Sequence, residues 1–328
     1  MPADPTPRPV LAVADLVVEI GGRAVVDGVS LEVKPGEVVA LVGESGSGKS
    51  LTALSVIGLL PKAARAAGGR ALLDGEDLLA KSEAELRAMR GRRLAMIFQE
   101  PIASLNPLVS VGDQVAESLI VHGEASPAEA RRRAVEMLRR VGIPEPERRA
   151  RQLPIELSGG MCQRVMIASA LVSGPRLLIA DEPTTALDVT IQAQILRLMK
   201  ELRRERDTAV LVITHDMGVV ADIADRVSVM YAGRIVETAP VFDLFERPSH
   251  PYTRLLLSTI PRLDGTRKAD LRTVEGTVPD LAHWPAGCRF RTRCPIADAG
   301  CAAVPAMVAV GPEHTSACRR LDRLEEIG

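Results

Sequence analysis

Residues 11–42 alternate apolar and polar positions and are rich in β-branched side chains. Two stretches, ADLVVEI and SLEVKPGEVVALV, are predicted to form strands around a turn at Pro35-Gly36. A glycine-rich loop follows, and the apolar segment from Ser50 to Leu60 is typical of a buried helix. The pattern therefore predicts strands, then a loop that opens a helix.

Residues 100–172 are predicted to be mainly helical, most clearly in SPAEARRRAVEMLRRVG. Ser126 is the expected N-cap, and Glu129 would complete a capping box with it. Pro127 suits the first helical turn, and Gly142 would end the helix. One apolar stripe would face the core, formed by Ala130, Ala134, Met137, Leu138 and Val141.

Two short apolar runs, LLIA at 177–180 and VLVIT at 210–214, are predicted to be buried strands. The amphipathic stretch IQAQILRLMKELRRE lies between them, so the segment is expected to form a parallel βαβ unit. Composition changes near Pro240, after which proline, arginine and turn residues become frequent. We therefore expect a C-terminal appendage over 240–328, and we find no internal repeat.

The composition argues against a nucleic-acid-binding protein, a membrane-spanning protein and a secreted protein. The formal net charge of −1 argues against a broad nucleic-acid surface, and one Trp, two Tyr and four Phe offer few rings for base stacking. No apolar run reaches the roughly 18–20 residues of a membrane span. The start of the chain, MPADPTPRPV, is not a secretory signal, and residues 1–10 are expected to be flexible. A cytosolic location is expected, where clustered thiols bind metal more often than they form disulfides.

The glycine-rich loop GESGSGKS fits the pattern G-x-x-x-x-G-K-[ST] between a predicted strand and a predicted helix. Glycines let the backbone N–H groups wrap a triphosphate, and a helix N-terminus favours the negative charge. Lys49 would reach the β- and γ-phosphates, and the Ser50 hydroxyl would hold Mg²⁺. The predicted nucleotide-binding residues here are Gly43, Glu44, Ser45, Gly46, Ser47, Gly48, Lys49, Ser50 and Leu51.

In two further motifs, polar residues come directly after a predicted strand. RLLIADEP places Asp181 and Glu182 just past a strand, where ligands of open α/β sheets bind. Asp181 would hold Mg²⁺, and Glu182 would polarise the attacking water. VLVITHD ends the next strand in His215, for which a contact to the γ-phosphate is expected.

The stretch ELSGGMCQRV identifies the family that the chain resembles. Its residues Leu157-Ser158-Gly159-Gly160-Met161 are similar to the LSGGQ-like signature of ABC transporter ATPases. In that family two ATPases pair head to tail, and the signature of one contacts the γ-phosphate bound by the other. The resemblance covers residues 11–238, because the P-loop, signature, Asp-Glu pair and His occur in the family's order.

The resemblance implies further roles. Gln99 in IFQEP would be the Q-loop residue, a Mg²⁺ ligand with Ser50 and Asp181 that links the nucleotide to the membrane partner. Asp188 in TALD would lie in the loop that crosses the dimer interface. The aromatic residue that usually stacks on adenine, about 23 positions before the P-loop, is replaced by Ile20. Adenine would then pack on an aliphatic side chain.

The implied fold is an α/β P-loop NTPase core with added subdomains. An ABC ATPase domain would span 11–239, with an antiparallel β subdomain and a helical subdomain over about 100–172. The groove of the helical subdomain would receive a helix of the permease. A cysteine-rich extension would occupy 240–328.

A narrower resemblance is to the oligopeptide/dipeptide importer branch. It rests on FQEPIASLNP, SGGMCQRVMIA, ADEPTTALDVTIQAQIL and HPYTRLLL. It implies ATP-driven import of peptides at the cytoplasmic face of the membrane, with nickel, glutathione or oligosaccharide as alternative cargo. The implied partners are a second and different ATPase chain, two permease subunits and an extracytoplasmic solute-binding protein.

A rival of another class is a soluble ABC ATPase of translation or DNA repair. Translation types carry two cassettes in one chain, and repair types insert long coiled coils. This chain has one cassette and no heptad arm.

Four of the five cysteines lie near the C-terminus with the spacing C-x5-C-x6-C-x16-C. Spacing alone leaves three readings open: an iron–sulfur cluster, a structural zinc, or unpaired thiols. The branch resemblance favours a [4Fe–4S] cluster, with zinc as the alternative. Its role would be structural, because a small segment with few apolar residues needs added folding energy. The proposed ligands are Cys288, Cys294, Cys301 and Cys318.

Overall fold

The computed structural model describes residues 8–185, 187–260 and 276–327. Most of the predicted flexible N-terminus, residues 1–7, lies outside this part. The strands are β1 Leu11–Ile20, β2 Arg23–Val33, β3 Val38–Val42, β4 Ala64–Leu73, β5 Glu76–Asp77, β6 Leu94–Ile97, β7 Leu177–Asp181, β8 Ala209–Ile213, β9 Arg226–Tyr231, β10 Arg234–Pro240, β11 Val308–Gly311 and β12 His314–Ser316. The helices are α1 Lys49–Ile57, α2 Glu83–Met89, α3 Pro101–Ser104, α4 Val111–Val121, α5 Pro127–Arg140, α6 Pro146–Arg149, α7 Gly159–Leu171, α8 Val189–Arg206, α9 Met217–Ile223, α10 Val241–Glu246 and α11 Pro251–Ser258.

The strands form two sheets. One has four strands in the order β2-β1-β4-β5, and every pairing in it is antiparallel. The other has eight strands in the order β11-β12-β10-β9-β3-β8-β7-β6. In this main sheet β9, β3, β8, β7 and β6 run parallel, which confirms the predicted βαβ unit of β7, α8 and β8.

The central strands of the main sheet are apolar on both faces. All five residues of β3, and all five of β8, are buried. Because side chains alternate along a strand, Val210 and Val212 pack into one core while Leu211 and Ile213 pack into the other. Helices cover both faces of this sheet, as parallel sheets require. The carboxyl ends of its strands therefore meet at one edge, where the candidate site lies.

The turn at Pro35-Gly36 does not join two paired strands of a hairpin. β2 pairs with β1 in the antiparallel sheet, whereas β3 lies at the centre of the main sheet. The turn therefore links two sheets. The polar, glycine-containing strand β4 was not predicted from the sequence, since it lacks an apolar run.

The predicted helix in SPAEARRRAVEMLRRVG is α5. The N-cap is confirmed, because the Ser126 hydroxyl accepts a hydrogen bond from the Glu129 N–H at 3.3 Å. The capping box is wrong, because the Glu129 carboxylate instead accepts two hydrogen bonds from Arg132, one helical turn on. Gly142 follows the helix with φ +78°, and the predicted apolar stripe is buried.

The segment after Pro240 joins the main sheet. β12 pairs with β10, with Glu237 opposite Ser316, and β11 adds the edge strand. Both tyrosines of the chain and Phe290 form one fully buried cluster, with Tyr231 and Tyr252 ring centroids 4.8 Å apart. This cluster attaches the C-terminal segment beside the glycine-rich loop. No helix in the described part of the chain is long and apolar enough to cross a membrane.

Candidate nucleotide-binding site

The glycine-rich loop connects β3 to α1 at the carboxyl edge of the main sheet. A side chain at Gly43, with φ +152°, would meet the Met230 carbonyl oxygen at 2.1 Å. Gly48 has φ +104°, and a side chain there would meet the Met230 methyl group at 2.8 Å. Both positions therefore require glycine, because the backbone passes close to β9.

The Lys49 side chain is folded back along the loop and is 8% exposed. Its ammonium donates hydrogen bonds to the carbonyls of Gly43 and Glu44 at 2.8 and 2.9 Å, and to the Ser47 hydroxyl at 3.3 Å. Burial lowers the pKa of Lys49, while the carboxylates of Glu182, Asp181 and Glu44 act in the opposite direction. The loop thus places one ammonium at the start of α1, where a phosphate would bind.

Asp181, the last residue of β7, is buried beside the loop. Burial raises the pKa of its carboxyl group, and the nearby Ser50 hydroxyl acts in the opposite direction. Its Oδ1 atom is buried and has no hydrogen-bond partner in the described part of the chain. A buried carboxylate oxygen without a partner is costly, and a hard divalent cation prefers such a ligand. Ser50 and Asp181 therefore fit a Mg²⁺ ion.

Glu182 lies one residue further on, next to the end of β8. Its Oε1 atom is 2.7 Å from His215 Nδ1, and its Oε2 accepts a hydrogen bond from the Thr185 hydroxyl at 3.0 Å. Its backbone N–H donates to the Ile213 carbonyl at 2.8 Å, and its φ is +51°. A non-glycine residue in this conformation is strained, so several contacts hold the carboxylate in one position.

Two other predicted site residues lie at strand ends. Gln99 is exposed two residues beyond β6, the strand that pairs with β7. Ile20 is half-buried at the end of β1, in the antiparallel sheet. The structure thus places Lys49, Asp181 and Glu182 together, with Gln99 just beyond the end of β6, the strand next to β7.

The signature residues lie at the start of α7, away from this cluster. Ser158 is the N-cap, and its hydroxyl accepts a hydrogen bond from the Met161 N–H at 3.3 Å. Ser158 and Gly159 are exposed, and a side chain at Gly159 would meet no atom within 4 Å. Asp188 is exposed at the N-cap of α8 and accepts from the Ile191 N–H at 3.0 Å. Within the described residues, no hydrogen bond or ion pair joins the signature to the glycine-rich loop.

Sequence reasoning missed two residues that contact the loop from the C-terminal segment. The Tyr252 hydroxyl accepts a hydrogen bond from the Glu44 N–H at 2.8 Å. The Arg293 guanidinium donates to the Glu44 carboxylate at 2.7 and 3.2 Å. Tyr252 stands in the HPY motif that the resemblance singled out, so a signal existed for it. Nothing in the sequence marks Arg293 as a partner of Glu44.

The four C-terminal cysteines are gathered in one region of the C-terminal segment. Burial raises the pKa of Cys294 to about 11, and the nearby thiols of Cys288, Cys318 and Cys301 act in the same direction. Cys318 likewise responds to Cys288 and Cys301. In residues 8–185, 187–260 and 276–327, however, no group of three or more His, Cys, Asp or Glu side chains has the arrangement of a metal site.

Two family descriptions match the chain. Residues 26–185 match the ABC transporter family, and residues 236–301 match the C-terminal region of oligopeptide/dipeptide transporters. A solved dimeric ATP-binding cassette in a post-hydrolysis state, bound to ADP and phosphate, is 30% identical with a TM-score of 0.64. The match covers 70% of this chain and 98% of that one.

Curated relatives are more similar still. A probable peptide ABC transporter ATP-binding protein of Sinorhizobium fredii is 51% identical over 98% of this chain and 97% of its own length. A dipeptide transport ATP-binding protein of Bacillus subtilis is 49% identical over 92% of this chain and 90% of its own.

The fold and the site define an ATPase of the ABC transporter class. The chain belongs to the family of ABC transporter ATP-binding subunits, in its oligopeptide/dipeptide branch. Subunits of this class pair as ATPase dimers and act with permease subunits in the membrane. They are peripheral, membrane-associated subunits of the transporter. The resemblance on which the sequence interpretation rested is therefore confirmed.

Proposed function

We propose that this chain hydrolyses ATP to power the import of peptides through an ABC transporter. The observation that carries the proposal is the placement of the Glu182–His215 pair beside Lys49 and Asp181. Peptide cargo is supported by the branch to which the chain belongs, since its relatives are named for peptide, dipeptide and oligopeptide transport. Nickel, glutathione and oligosaccharide remain the alternative cargoes.

The nucleotide phosphates would bind the backbone N–H groups of residues 43–48 and the Lys49 ammonium. Ser50, Asp181 and Gln99 would hold Mg²⁺, which when bound neutralises charge on the β- and γ-phosphate oxygens. Ile20 would pack against adenine with an aliphatic surface. Leu51, the third residue of α1, would continue the helix N-terminus.

Glu182 is the proposed general base. Its carboxylate accepts hydrogen bonds from Thr185 and from His215, so it is oriented before the substrate arrives. A water molecule placed between Glu182 and the γ-phosphate would lose its proton to this carboxylate as it attacks. The His215 side chain is 68% exposed and would also contact the γ-phosphate.

The signature would complete the partner's site. Ser158, Gly159, Gly160 and Met161 lie at the exposed N-terminus of a 13-residue helix, whose dipole favours an anion. In the described part of the chain no hydrogen bond or ion pair joins them to the loop, so they would be available to close on a nucleotide bound by a second ATPase. Asp188 would lie at that interface. A different chain of the same family is the proposed partner.

The remaining assignments follow from the transport role. The chain would act at the cytoplasmic face of the membrane, with two permease subunits and an extracytoplasmic solute-binding protein. The ATPase domain would span 11–239, with its helical subdomain over about 100–172, and the extension 240–328. The match of residues 236–301 to the C-terminal region of oligopeptide/dipeptide transporters supports transport over translation or DNA repair.

Cargo is tested by uptake in cells that lack the chain and are complemented with it. Labelled di- or oligopeptide should enter only in complemented cells, and unlabelled peptide should compete. Nickel, glutathione and an oligosaccharide serve as the alternative competitors. Competition by one of these, with none by peptide, would replace the proposed cargo.

The four cysteines are proposed to hold a structural [4Fe–4S] cluster. The resemblance to the oligopeptide/dipeptide branch supports the cluster. A single zinc with Zn–S bonds of about 2.3 Å would draw its sulfurs within about 4 Å of each other. A cuboidal cluster spreads its four thiolates more widely. Each thiol lies within electrostatic reach of the others. The Arg320 N–H donates a hydrogen bond to the Cys318 sulfur at 3.3 Å.

We expect anaerobically purified protein to be brown and to contain about four irons and four sulfides per chain. Iron and sulfide assays with a visible absorption spectrum measure this directly. Cys294→Ser should lose the colour. Cys162→Ser is the matched control, since Cys162 is buried beside the Pro154 carbonyl and lies outside the group. Colourless protein loaded with zinc would contradict the cluster.

A further inference from the structure

Glu44, the second residue of the glycine-rich loop, is held at three points. Its N–H donates to the Tyr252 hydroxyl, and its carboxylate receives two hydrogen bonds from Arg293. Its carbonyl accepts a third contact, from the Lys49 ammonium at 2.9 Å. Tyr252 is 208 residues away in sequence, and Arg293 is 249 residues away. The C-terminal segment therefore reaches directly into the nucleotide-binding loop.

The Arg293 side chain is fixed in its own surroundings. It is only 6% exposed, and it also donates to the Gly276 carbonyl at 3.1 Å. Its guanidinium carbon lies 5.8 Å from the Tyr231 ring centroid and 6.0 Å from that of Phe290. An arginine held by rings and a carbonyl loses little further freedom when it binds a carboxylate with two hydrogen bonds. The ion pair with Glu44 is therefore preorganised.

The charge of Glu44 acts at the phosphate-binding lysine. Its carboxylate raises the pKa of Lys49, which shows that the two groups interact electrostatically within the loop. An uncompensated carboxylate there would repel the phosphates of a nucleotide. The Arg293 guanidinium neutralises it, and solvent screens the pair only in part, because the Arg293 side chain is 6% exposed and the Glu44 side chain 24%.

We propose that Arg293 and Tyr252 are positioning residues for the nucleotide-binding loop. Arg293 cancels the charge of Glu44 and fixes its side chain, and Tyr252 fixes its backbone. The C-terminal segment thereby increases the affinity of the loop for nucleotide. The inference rests on the proposed nucleotide site.

A purely structural role would anchor the C-terminal segment without affecting nucleotide affinity through charge. The two roles predict different nucleotide affinities when the Glu44 carboxylate is removed in the Arg293 variant. If Arg293 acts by neutralising Glu44, then removing the carboxylate should compensate for loss of the arginine. If Arg293 only anchors the segment, Glu44→Gln should give no rescue.

The test is isothermal titration of the full chain with MgADP, which is not turned over. We expect Arg293→Ala to bind MgADP about tenfold more weakly than wild type. The double variant Glu44→Gln/Arg293→Ala should return to within about twofold of Glu44→Gln alone. Tyr252→Phe, which removes one hydroxyl, should weaken binding about threefold. In the assembled transporter, Arg293→Ala should raise KM for MgATP with little change in kcat.

Arg323→Ala is the matched control, because Arg323 pairs with Glu326 on the same segment far along the chain from the loop. It should bind MgADP like wild type. Equal affinity of Arg293→Ala and wild type, or equally weak binding by Arg293→Ala and the double variant, would overturn the proposal. Failure of the wild type itself to bind MgADP would instead refute the nucleotide site.

Discussion

Replacing Glu182 with glutamine is expected to slow ATP hydrolysis by about 100-fold or more while ATP remains bound. An amide cannot take the proton of the attacking water. The amide also replaces one of the two carboxylate oxygens with an NH2 group, whereas Oε2 of the carboxylate accepts from Thr185 at 3.0 Å and Oε1 from His215 at 2.7 Å. Nucleotide affinity should be preserved, because Lys49 and Asp181 are untouched. The variant should therefore accumulate as an ATP-bound closed dimer.

Phosphate release measures the rate, and size-exclusion chromatography with ATP measures the dimer. Glu205→Gln is the matched control, since Glu205 is an exposed glutamate of α8 paired only loosely with Arg140 at 3.9 Å. It should hydrolyse ATP at the wild-type rate. Turnover by Glu182→Gln near the wild-type rate would refute the assignment of the general base.

Replacing Lys49 with alanine is expected to weaken MgADP binding by about 10- to 100-fold. The ammonium is buried and already hydrogen-bonded to the carbonyls of Gly43 and Glu44, so it is poised in the loop. Without it, the Gly43 and Glu44 carbonyls and the Ser47 hydroxyl lose a donor, and the phosphates lose a positive charge. Both effects act against binding.

Titration calorimetry with the full chain measures this affinity. Lys200→Ala is the control, because the Lys200 ammonium on α8 pairs with Asp222 at 2.7 Å on the surface. It should bind MgADP normally. Wild-type affinity in Lys49→Ala would show that the phosphates bind elsewhere.

The core of the site could be predicted because its signals are local. The loop from Gly43 to Ser50 is one motif between a strand and a helix, and the strand pair β7 and β8 is apolar on both faces. Asp181 is the last residue of β7, Glu182 follows it, and His215 lies two residues beyond β8. Parallel pairing then brings the strand ends to one edge, so spacing along the chain was sufficient to place them together.

Of the features that the sequence did not predict, two depend on contacts between distant segments and one on a local choice of hydrogen-bond partner. β4 contains polar and glycine residues, and only its pairing with β1 makes it a strand. The Glu129 carboxylate had two possible donors, the Ser126 N–H of a capping box and the Arg132 guanidinium. It binds Arg132, because a hydrogen bond between two charged groups is stronger. Arg293 and Glu44 are 249 residues apart in sequence, and the pattern of apolar and polar residues does not predict their contact.

The central claim is that ATP hydrolysis by this chain drives peptide import. Its most direct test is uptake of labelled peptide by proteoliposomes that contain the complete transporter and enclose MgATP. Wild-type chain should support uptake that depends on ATP, and Glu182→Gln should abolish it. Uptake at the same rate with Glu182→Gln, or ATP hydrolysis by the wild-type complex without any peptide uptake, would contradict the account.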